Sequence, residues 1–162
     1  MYAPAPMNAR QFSPDVLEFL RLLDKHAVKY LLIGGYAVFY HGYPRLTANI
    51  DFAYDPAPDN ADKLYRALLE FWGGSVPVVR APADLTEVGT VFQFGRAPNR
   101  IDLLSRVDGI DFIDAWSRRV VAQIEGDGAA VPVAVISLGD LRSAKVAAGR
   151  PKDLDDLENL PR

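Results

Sequence analysis

The first clear pattern of apolar and polar positions along the chain is that of an amphipathic helix. Apolar residues recur at helical spacing from Val16 to His26, and they follow the run Ser13-Pro14-Asp15. Serine is a favoured N-cap, proline fits the first helical position, and aspartate is favourable near the positive end of the helix dipole. The pattern therefore predicts a helix that begins after Ser13 and packs on a core.

Shorter patterns in the rest of the chain predict strands and further helices. Apolar or alternating runs predict strands at 29–33, 49–54, 90–94, 100–105, 120–125 and 131–136. Helical spacing and helix-ending residues predict helices at 36–41, 60–72, 111–119 and 152–160 and between Ser137 and Gly149. The poorly patterned stretch at 73–87 is expected to be a loop with irregular local structure. Strands interleaved with helices in a chain of this length predict a single α+β (α/β) domain.

The composition narrows the classes of function. The chain has 162 residues, of which 49% are hydrophobic and 24% are charged, as in a soluble globular domain. It contains no cysteine, which excludes disulfides, thiolate nucleophiles, zinc-thiolate sites and cysteine-ligated iron–sulfur clusters. A metal ion would have to be held by oxygen ligands or by His26 and His41. The net charge of −3 argues against a surface that binds nucleic acid everywhere, because such binding depends on neutralising phosphates.

The N-terminal residues carry neither a helix nor a strand pattern. Prolines and small residues lead us to expect a flexible tail at 1–12 before a domain at 13–162. No stretch reaches the roughly 18 apolar residues that a membrane span needs. The first residues also lack the basic start and the apolar run of a signal peptide. We therefore expect a cytoplasmic protein that does not bind a membrane.

Three polar features of the predicted sheet indicate phosphate chemistry when they are taken together. Gly34 and Gly35 form a turn between a strand and a helix, where backbone amides can approach a phosphate closely. Asn49 and Asp51 alternate along one strand and therefore share a face, and Asp102 lies between apolar neighbours on another strand. Carboxylates beside a glycine turn could hold Mg²⁺ against the same phosphates. Taken singly, a Gly-Gly pair is usually only a turn and an aspartate on a strand is usually solvated.

The order and spacing of these residues resemble the signature of the nucleotidyltransferases of the DNA polymerase beta superfamily. That signature has a hydrophobic residue before Gly-Gly or Gly-Ser, a spacer, a pair of carboxylates, and a distant carboxylate between apolar residues. The matching segments, with thirteen residues between the first two, are Leu32-Ile33-Gly34-Gly35, Asn49-Ile50-Asp51-Phe52 and Ile101-Asp102-Leu103.

Two further segments are similar to the minimal nucleotidyltransferases that are related to type IV toxin–antitoxin toxins. The first contains Gly34-Gly35-Tyr36-Ala37, His41-Gly42, Arg45 and Thr47. The second is the closing run with Ser137-Leu138-Gly139-Asp140-Leu141, Lys145 and Gly149-Arg150-Pro151-Lys152-Asp153-Leu154-Asp155-Asp156-Leu157. The likeness covers residues 29 to 160, which is nearly the whole predicted domain.

The resemblance implies a fold, a reaction and a set of ligands. The fold is a mixed central sheet flanked by helices, and the reaction transfers a nucleoside monophosphate from a nucleoside triphosphate (NTP) to an acceptor hydroxyl with release of pyrophosphate. Two divalent ions, Mg²⁺ or Mn²⁺, an acceptor on RNA or protein, and a cognate toxin–antitoxin partner are implied. By residue, the resemblance implies nucleotide binding by Gly34, Gly35, Arg45, Thr47 and Lys145, metal binding at Asn49, Asp51 and Asp102, and catalysis by Asp51 and Asp102, with Asp102 a candidate general base.

Position 49 departs from this pattern, because the family has a carboxylate where this chain has Asn49. An amide oxygen can coordinate a cation but carries no charge, so we expect weaker metal binding. Asp55 lies about 13 Å from Asp51 along an extended strand, which is too far to replace the missing ligand. Three interpretations stay open: an enzyme with reduced metal affinity or an unusual metal, a natural inactive binding module such as an antitoxin-like or regulatory partner, and an enzyme whose carboxylate was changed deliberately.

Charged residues around the predicted site also have structural interpretations. Arg45 is expected either at a phosphate or in a surface ion pair. Lys145 is expected either at the triphosphate or as a solvated surface residue. The charged run at 150–156 is expected to form a solvated helix start or to support the residues of the site.

Overall fold

The structure is a computed structural model that describes residues 4, 6–126 and 128–162. This part of the chain forms one α+β domain with a mixed sheet of seven strands and six α-helices. The strands are β1 (Met7–Asn8), β2 (Tyr30–Ile33), β3 (Asn49–Tyr54), β4 (Val91–Phe94), β5 (Arg100–Leu104), β6 (Val120–Glu125) and β7 (Val131–Val135). The helices are α1 (Pro14–Lys25), α2 (Gly34–Tyr40), α3 (Pro58–Phe71), α4 (Phe112–Ser117), α5 (Leu138–Ala148) and α6 (Pro151–Asn159).

The strands follow the order β1-β6-β7-β2-β3-β5-β4 across the sheet. Three neighbouring pairs are parallel, namely β1 with β6, β2 with β7, and β3 with β5. The other three pairs are antiparallel, and they include the predicted hairpin of β4 and β5. Strand β3 therefore lies between β2 and β5. The end of β2 lies beside Asp51 of β3, and Asp102 of β5 lies on the other side of Asp51.

The face of the sheet opposite the polar positions carries the aromatic core. Phe52 lies within 5.6 Å of the ring of Phe19 from α1 and within 5.5 Å of the ring of Tyr30 from β2. Phe19 in turn contacts Phe71 of α3 at 5.2 Å between ring centroids. Since side chains alternate along a strand, burial of Phe52 on this face directs Asn49 and Asp51 to the other one.

The helix ends follow from local chemistry, as predicted. The Ser13 hydroxyl accepts a hydrogen bond from the Val16 amide at 3.2 Å, and the Ser137 hydroxyl accepts one from the Asp140 amide at 3.1 Å. Helix α5 ends at Gly149, whose φ of 63° is in the left-handed region that favours glycine. Pro151 then occupies the first position of α6, so that α5 and α6 are joined by a two-residue turn.

Residues 7–12 belong to the fold, and for them the expectation of a flexible tail is corrected. Met7 and Asn8 pair in parallel with Ile124 and Glu125 at the edge of the sheet. Met7 and Phe12 are buried, and the Phe12 ring stacks on Tyr36 of α2 at 5.1 Å. Burial of two large apolar side chains offsets the entropy lost on ordering this segment. Residues 1–3 and 5 of the expected tail lie outside the described residues.

The segment at 73–87, expected as a loop with irregular local structure, contains one short helix. A 3₁₀ helix forms at Pro82–Thr86, and Leu85 is fully buried. The hydroxyl of Tyr54 donates to the carbonyl oxygen of Leu85 at 3.0 Å and so ties this helix to β3.

Among the helices of the described ranges, none has the length and apolar character needed to cross a membrane.

Candidate active site

A cavity of about 760 Å³ opens on the polar face of the sheet. It is bounded by the end of β2, the start of α2, the loop before β3, strands β3 and β5, and parts of α5 and α6. All the residues that the sequence predicted for the site line this cavity, namely Gly34, Gly35, Arg45, Thr47, Asn49, Asp51, Asp102 and Lys145. We refer to this cavity as the cleft.

Asp51 and Asp102 lie directly beside each other at the centre of the cleft. They are register partners on the parallel strands β3 and β5, so their side chains leave the sheet on the same face. The side-chain nitrogen Nδ2 of Asn49 donates to Oδ1 of Asp51 and to Oδ2 of Asp102, the latter at 3.1 Å. The three polar residues thus form one hydrogen-bonded group.

The pair of carboxylates changes the titration of Asp51. Burial raises the pKa of Asp51, and the negative charge and a hydrogen bond of Asp102 raise it further, to about 6. The positive charge of Lys152 and the hydrogen bond from Asn49 act in the opposite direction. A cation would relieve the electrostatic repulsion between two carboxylates that lie this close together.

The glycine turn lies against these side chains and has no room for a larger residue. Gly34 has a φ of 66°, and a Cβ atom at this position would overlap Oδ2 of Asp51. A Cβ atom at Gly35 would lie 2.7 Å from the hydroxyl oxygen of Thr47. The backbone at the start of α2 therefore borders the carboxylates, where it is open to the cleft.

Arg100 is a residue of the cleft that the sequence analysis missed. Its Nε donates to Oδ1 of Asp102 at 2.9 Å and its Nη2 donates to Oδ2 at 3.0 Å, which is a bidentate ion pair. A signal for it was present, because Arg100 is two residues before Asp102 on the same strand and therefore shares its face.

These contacts bear on how well the residues fit divalent ions. Asp51, Asp102 and the amide oxygen of Asn49 are the hard oxygen donors that Mg²⁺ prefers. Within the described ranges, no group of three or more His, Cys, Asp or Glu side chains is arranged to hold a metal ion. Both oxygens of Asp102 already accept hydrogen bonds from Arg100. Two carboxylates and one neutral amide are a donor set that is compatible with one divalent ion.

Lys145 is not a solvated surface residue, as one interpretation had it, but lies in a buried ion cluster. It is only 6% exposed, and its Nζ lies 3.0 Å from Oδ1 of Asp153 and 2.9 Å from Oδ2 of Asp156. Arg45 forms a bidentate pair with Asp156 through Nε at 2.7 Å and Nη2 at 2.9 Å, so it takes part in the same cluster. Arg150 closes the cluster through its Nε, at 2.7 Å from Oδ2 of Asp153.

The solvated helix start expected at 150–156 is therefore corrected for Asp153 and Asp156, which are fully buried. Burial by itself raises the pKa of Asp153, but hydrogen bonds from Arg150 and Lys145 outweigh it and lower this pKa to about 2. For Asp156 the same competition between burial and the cations Arg45 and Lys145 ends in a lowered pKa. Because Lys145 and Arg45 also line the cleft, this cluster fixes one of its walls.

The lining of the cleft carries more basic than acidic side chains in a chain whose net charge is −3, although most of these basic side chains form ion pairs. Its lining has two more basic side chains than acidic ones: Arg45, Arg100, Arg106, Lys145, Arg150 and Lys152 against Asp51, Asp102, Asp108 and Asp153. An excess of positive charge in a concave site attracts anions such as a polyphosphate.

The comparisons with known proteins agree with this geometry. No curated protein matches the chain. Residues 14–160 match a protein family described as "nucleotidyltransferase of unknown function (DUF6036)". The match covers nearly all of the described domain and includes every residue of the predicted site. The chain therefore belongs to this family of nucleotidyltransferases.

Proposed function

We propose that the protein transfers a nucleoside monophosphate from an NTP to an acceptor hydroxyl and releases pyrophosphate. The observation that carries the proposal is the pairing of Asp51 with Asp102 directly beside the Gly34 turn, in a cleft whose lining has more basic than acidic side chains. A glycine turn, two adjacent carboxylates and an excess of positive charge are the parts that phosphoryl-type transfer requires. Membership of a nucleotidyltransferase family supports the same reaction class.

In this reaction the acceptor oxygen forms a bond to the α-phosphorus of the NTP, and the bond from that phosphorus to the bridging oxygen breaks. Pyrophosphate leaves with the bridging oxygen, and the acceptor hydroxyl gives up its proton to a carboxylate oxygen of the Asp51–Asp102 pair. The backbone at Gly34 and Gly35 borders the triphosphate, since no side chain there blocks the approach. Lys152, Arg106 and Arg150 attract the phosphates electrostatically from the rim of the cleft.

Asp51 would hold one Mg²⁺ or Mn²⁺ beside the Gly34 turn, and the phosphate oxygens of the nucleotide would complete its ligands, since this type of ion commonly shares its ligands with a nucleotide. A divalent ion supplies Lewis-acid stabilisation of the charge that develops on phosphate oxygens. We propose an RNA or a protein as the bearer of the acceptor hydroxyl and the cytoplasm as the compartment. The family description names neither the nucleotide nor the acceptor.

Nucleotide binding is tested by thermal melting with ATP, GTP, CTP and UTP, each with and without Mg²⁺. At least one NTP with Mg²⁺ should raise the melting temperature, because a ligand that binds only the folded state stabilises it, by about 2.7 kcal/mol at a hundred times its Kd. Asp51→Asn should abolish this shift without unfolding the protein, since it also removes carboxylate repulsion. Asp62→Asn, at an exposed position on α3, is the matched control and should keep the shift.

Transfer itself is tested with the α-³²P-labelled form of the NTP that binds. After incubation with a cell extract, wild-type protein should leave the label on a macromolecule, and Asp51→Asn should leave it on the nucleotide. If none of the four NTPs changes the melting temperature of the wild type, the enzyme proposal is wrong. An inactive module that binds a protein partner would then be the better interpretation.

A further inference from the structure

We propose that Arg100 is a built-in cation that takes the place of one of the two divalent ions expected for this site, so that the nucleotide complex holds a single divalent ion. The inference rests on the proposed function, because it concerns the metal content of the nucleotide complex. It makes Arg100 a specificity-determining residue, which sets how many metal ions the cleft accepts.

The position of Arg100 relates it directly to the missing carboxylate. Arg100 on β5 is the register partner of Asn49 on β3, just as Asp102 is the register partner of Asp51. The two residues thus lie side by side in the sheet, one alternation away from the two carboxylates. An arginine next to position 49 is placed to compensate for a change of charge at that position.

The charges of the site agree with such a replacement. An amide at position 49 removes one negative charge from the expected set of three carboxylates, and the guanidinium of Arg100 adds one positive charge. Together these two residues make the site more positive by two charges, which is the charge of one divalent ion. The guanidinium keeps its charge at every physiological pH, so the compensation is permanent.

The contacts of the carboxylate oxygens show where this cation acts. Asp102 accepts from Arg100 at both oxygens, and Oδ2 also accepts from Asn49 at 3.1 Å. Oδ1 of Asp51 accepts from Asn49. Among these four oxygens, Oδ2 of Asp51 accepts from neither Asn49 nor Arg100 in the described structure, and it faces the Gly34 turn where the triphosphate is proposed to lie. The single divalent ion is therefore assigned to the Asp51 side, and Arg100 to the Asp102 side.

The ion pair of Arg100 with Asp102 is less exposed to solvent than an ordinary surface ion pair. Its side chain is 35% exposed and lines the cleft, whereas that of Asp102 is only 9% exposed. A planar fork that covers both oxygens of a nearly buried carboxylate leaves few lone pairs for a metal ion. A metal at Asp102 would have to displace this fork and bring a second charge close to the guanidinium. The metal count of the complex decides whether that displacement takes place.

The probe is Mn²⁺, whose free concentration is measured from its electron paramagnetic resonance signal. The nucleotide is the NTP that gives the largest melting shift, in a form with a methylene group between the α- and β-phosphorus, so that no transfer occurs. Wild-type protein saturated with this nucleotide should bind one Mn²⁺ per chain. The double variant Asn49→Asp/Arg100→Ala should bind two, because it restores the third carboxylate and frees Asp102.

Arg96→Ala is the matched control. Arg96 is an exposed arginine in the turn between β4 and β5, outside the lining of the cleft, and its variant should still bind one Mn²⁺. Two Mn²⁺ in the wild-type complex would overturn the proposal, and this count needs no variant to fold. A double variant that melts cooperatively but binds only one Mn²⁺ would overturn it as well. Absence of nucleotide binding in the presence of Mn²⁺ would instead reject the proposed function, and the inference with it.

Discussion

Asn49 occupies the space between two carboxylates and satisfies both of them. Its Nδ2 donates to Asp51 and to Asp102, which an ionised aspartate at the same position could not do. These contacts of Asn49 agree with the single divalent ion that we propose. The three interpretations of position 49 differ in whether nucleotide still binds and is transferred, and the melting and labelling experiments above separate an enzyme from an inactive module.

Gly34 is the residue at which a single added methyl group should disturb the site most. Gly34→Ala places a Cβ atom onto Oδ2 of Asp51 and also forces alanine to a φ of 66°. The left-handed conformation alone costs about 1–2 kcal/mol, and the overlap adds to it. We expect Gly34→Ala to lower the free energy of unfolding by about 2 kcal/mol or more and to abolish the melting shift with nucleotide and Mg²⁺.

The matched control for that change is Gly139→Ala in the first turn of α5. A Cβ atom at Gly139 meets nothing within 4 Å, and this glycine has no left-handed φ. Alanine should therefore be neutral there or should stabilise the protein by up to about 1 kcal/mol, as measured by urea unfolding. If both variants keep the melting shift with nucleotide, the glycine turn does not border the triphosphate.

At the scale of secondary structure elements, the buried ion cluster between α5, α6 and the loop before β3 should make the protein sensitive to acid. Asp153 has a pKa of about 2 in the folded state, below the ordinary value of 3.8, so its charged form stabilises the fold. This contribution is fully present above pH of about 4 and is lost as pH falls towards 2, and it amounts to about 2 kcal/mol. The free energy of unfolding, measured in urea at several pH values, should fall over this window.

Asp153→Asn should make that dependence on pH shallower, since the substituted side chain does not titrate. Asp62→Asn is again the control, because Asp62 is exposed and should leave the slope unchanged. Equal slopes for wild type and Asp153→Asn between pH 4 and 2 would show that Asp153 does not stabilise the fold through its charge.

How far the sequence predicts these elements depends on the range of the contacts involved. Alternation along β3 placed Asn49 and Asp51 on one face, and the same rule applied backwards from Asp102 would have found Arg100. The contact of Lys145 with Asp153 depends on how α5 and α6 fold back at Gly149, and side-chain spacing along one helix does not reveal it. Local patterns therefore predicted Asp51 and Asp102, but not the pairing of Arg100 with Asp102 or of Lys145 with Asp153.

At the scale of the whole molecule, the two edges of the sheet are formed by very different parts of the chain. Strands β4 and β5 form a local hairpin whose turn is evident from the sequence. Strand β1 instead pairs with β6, more than a hundred residues later, through only two residues. A strand of two residues shows no alternation, so its pairing with a distant partner could not be read from the pattern. The prediction of a tail at 7–12 failed for this reason.

The packing of this N-terminal segment leads to a prediction about the stability of the whole domain. Phe12 is buried against α2, which begins at the glycine turn of the cleft, and its ring stacks on Tyr36. Phe12→Ala removes this contact and leaves a cavity, which costs about 3–5 kcal/mol for a buried phenylalanine. Small domains have only about 5–15 kcal/mol of net stability, so urea unfolding should show a large decrease in the midpoint.

Leu46→Ala is the control for Phe12→Ala, because Leu46 is a large apolar residue in the same region that is 98% exposed. Removing its side chain should change the free energy of unfolding by no more than about 0.5 kcal/mol. Similar small effects of both substitutions would mean that residues 7–12 do not pack on α2. A large effect of Phe12→Ala alone means that the N-terminal segment stabilises α2, the helix that begins at the glycine turn of the cleft. A protein that lacks residues 1–12 should then unfold at a lower urea concentration than the full chain.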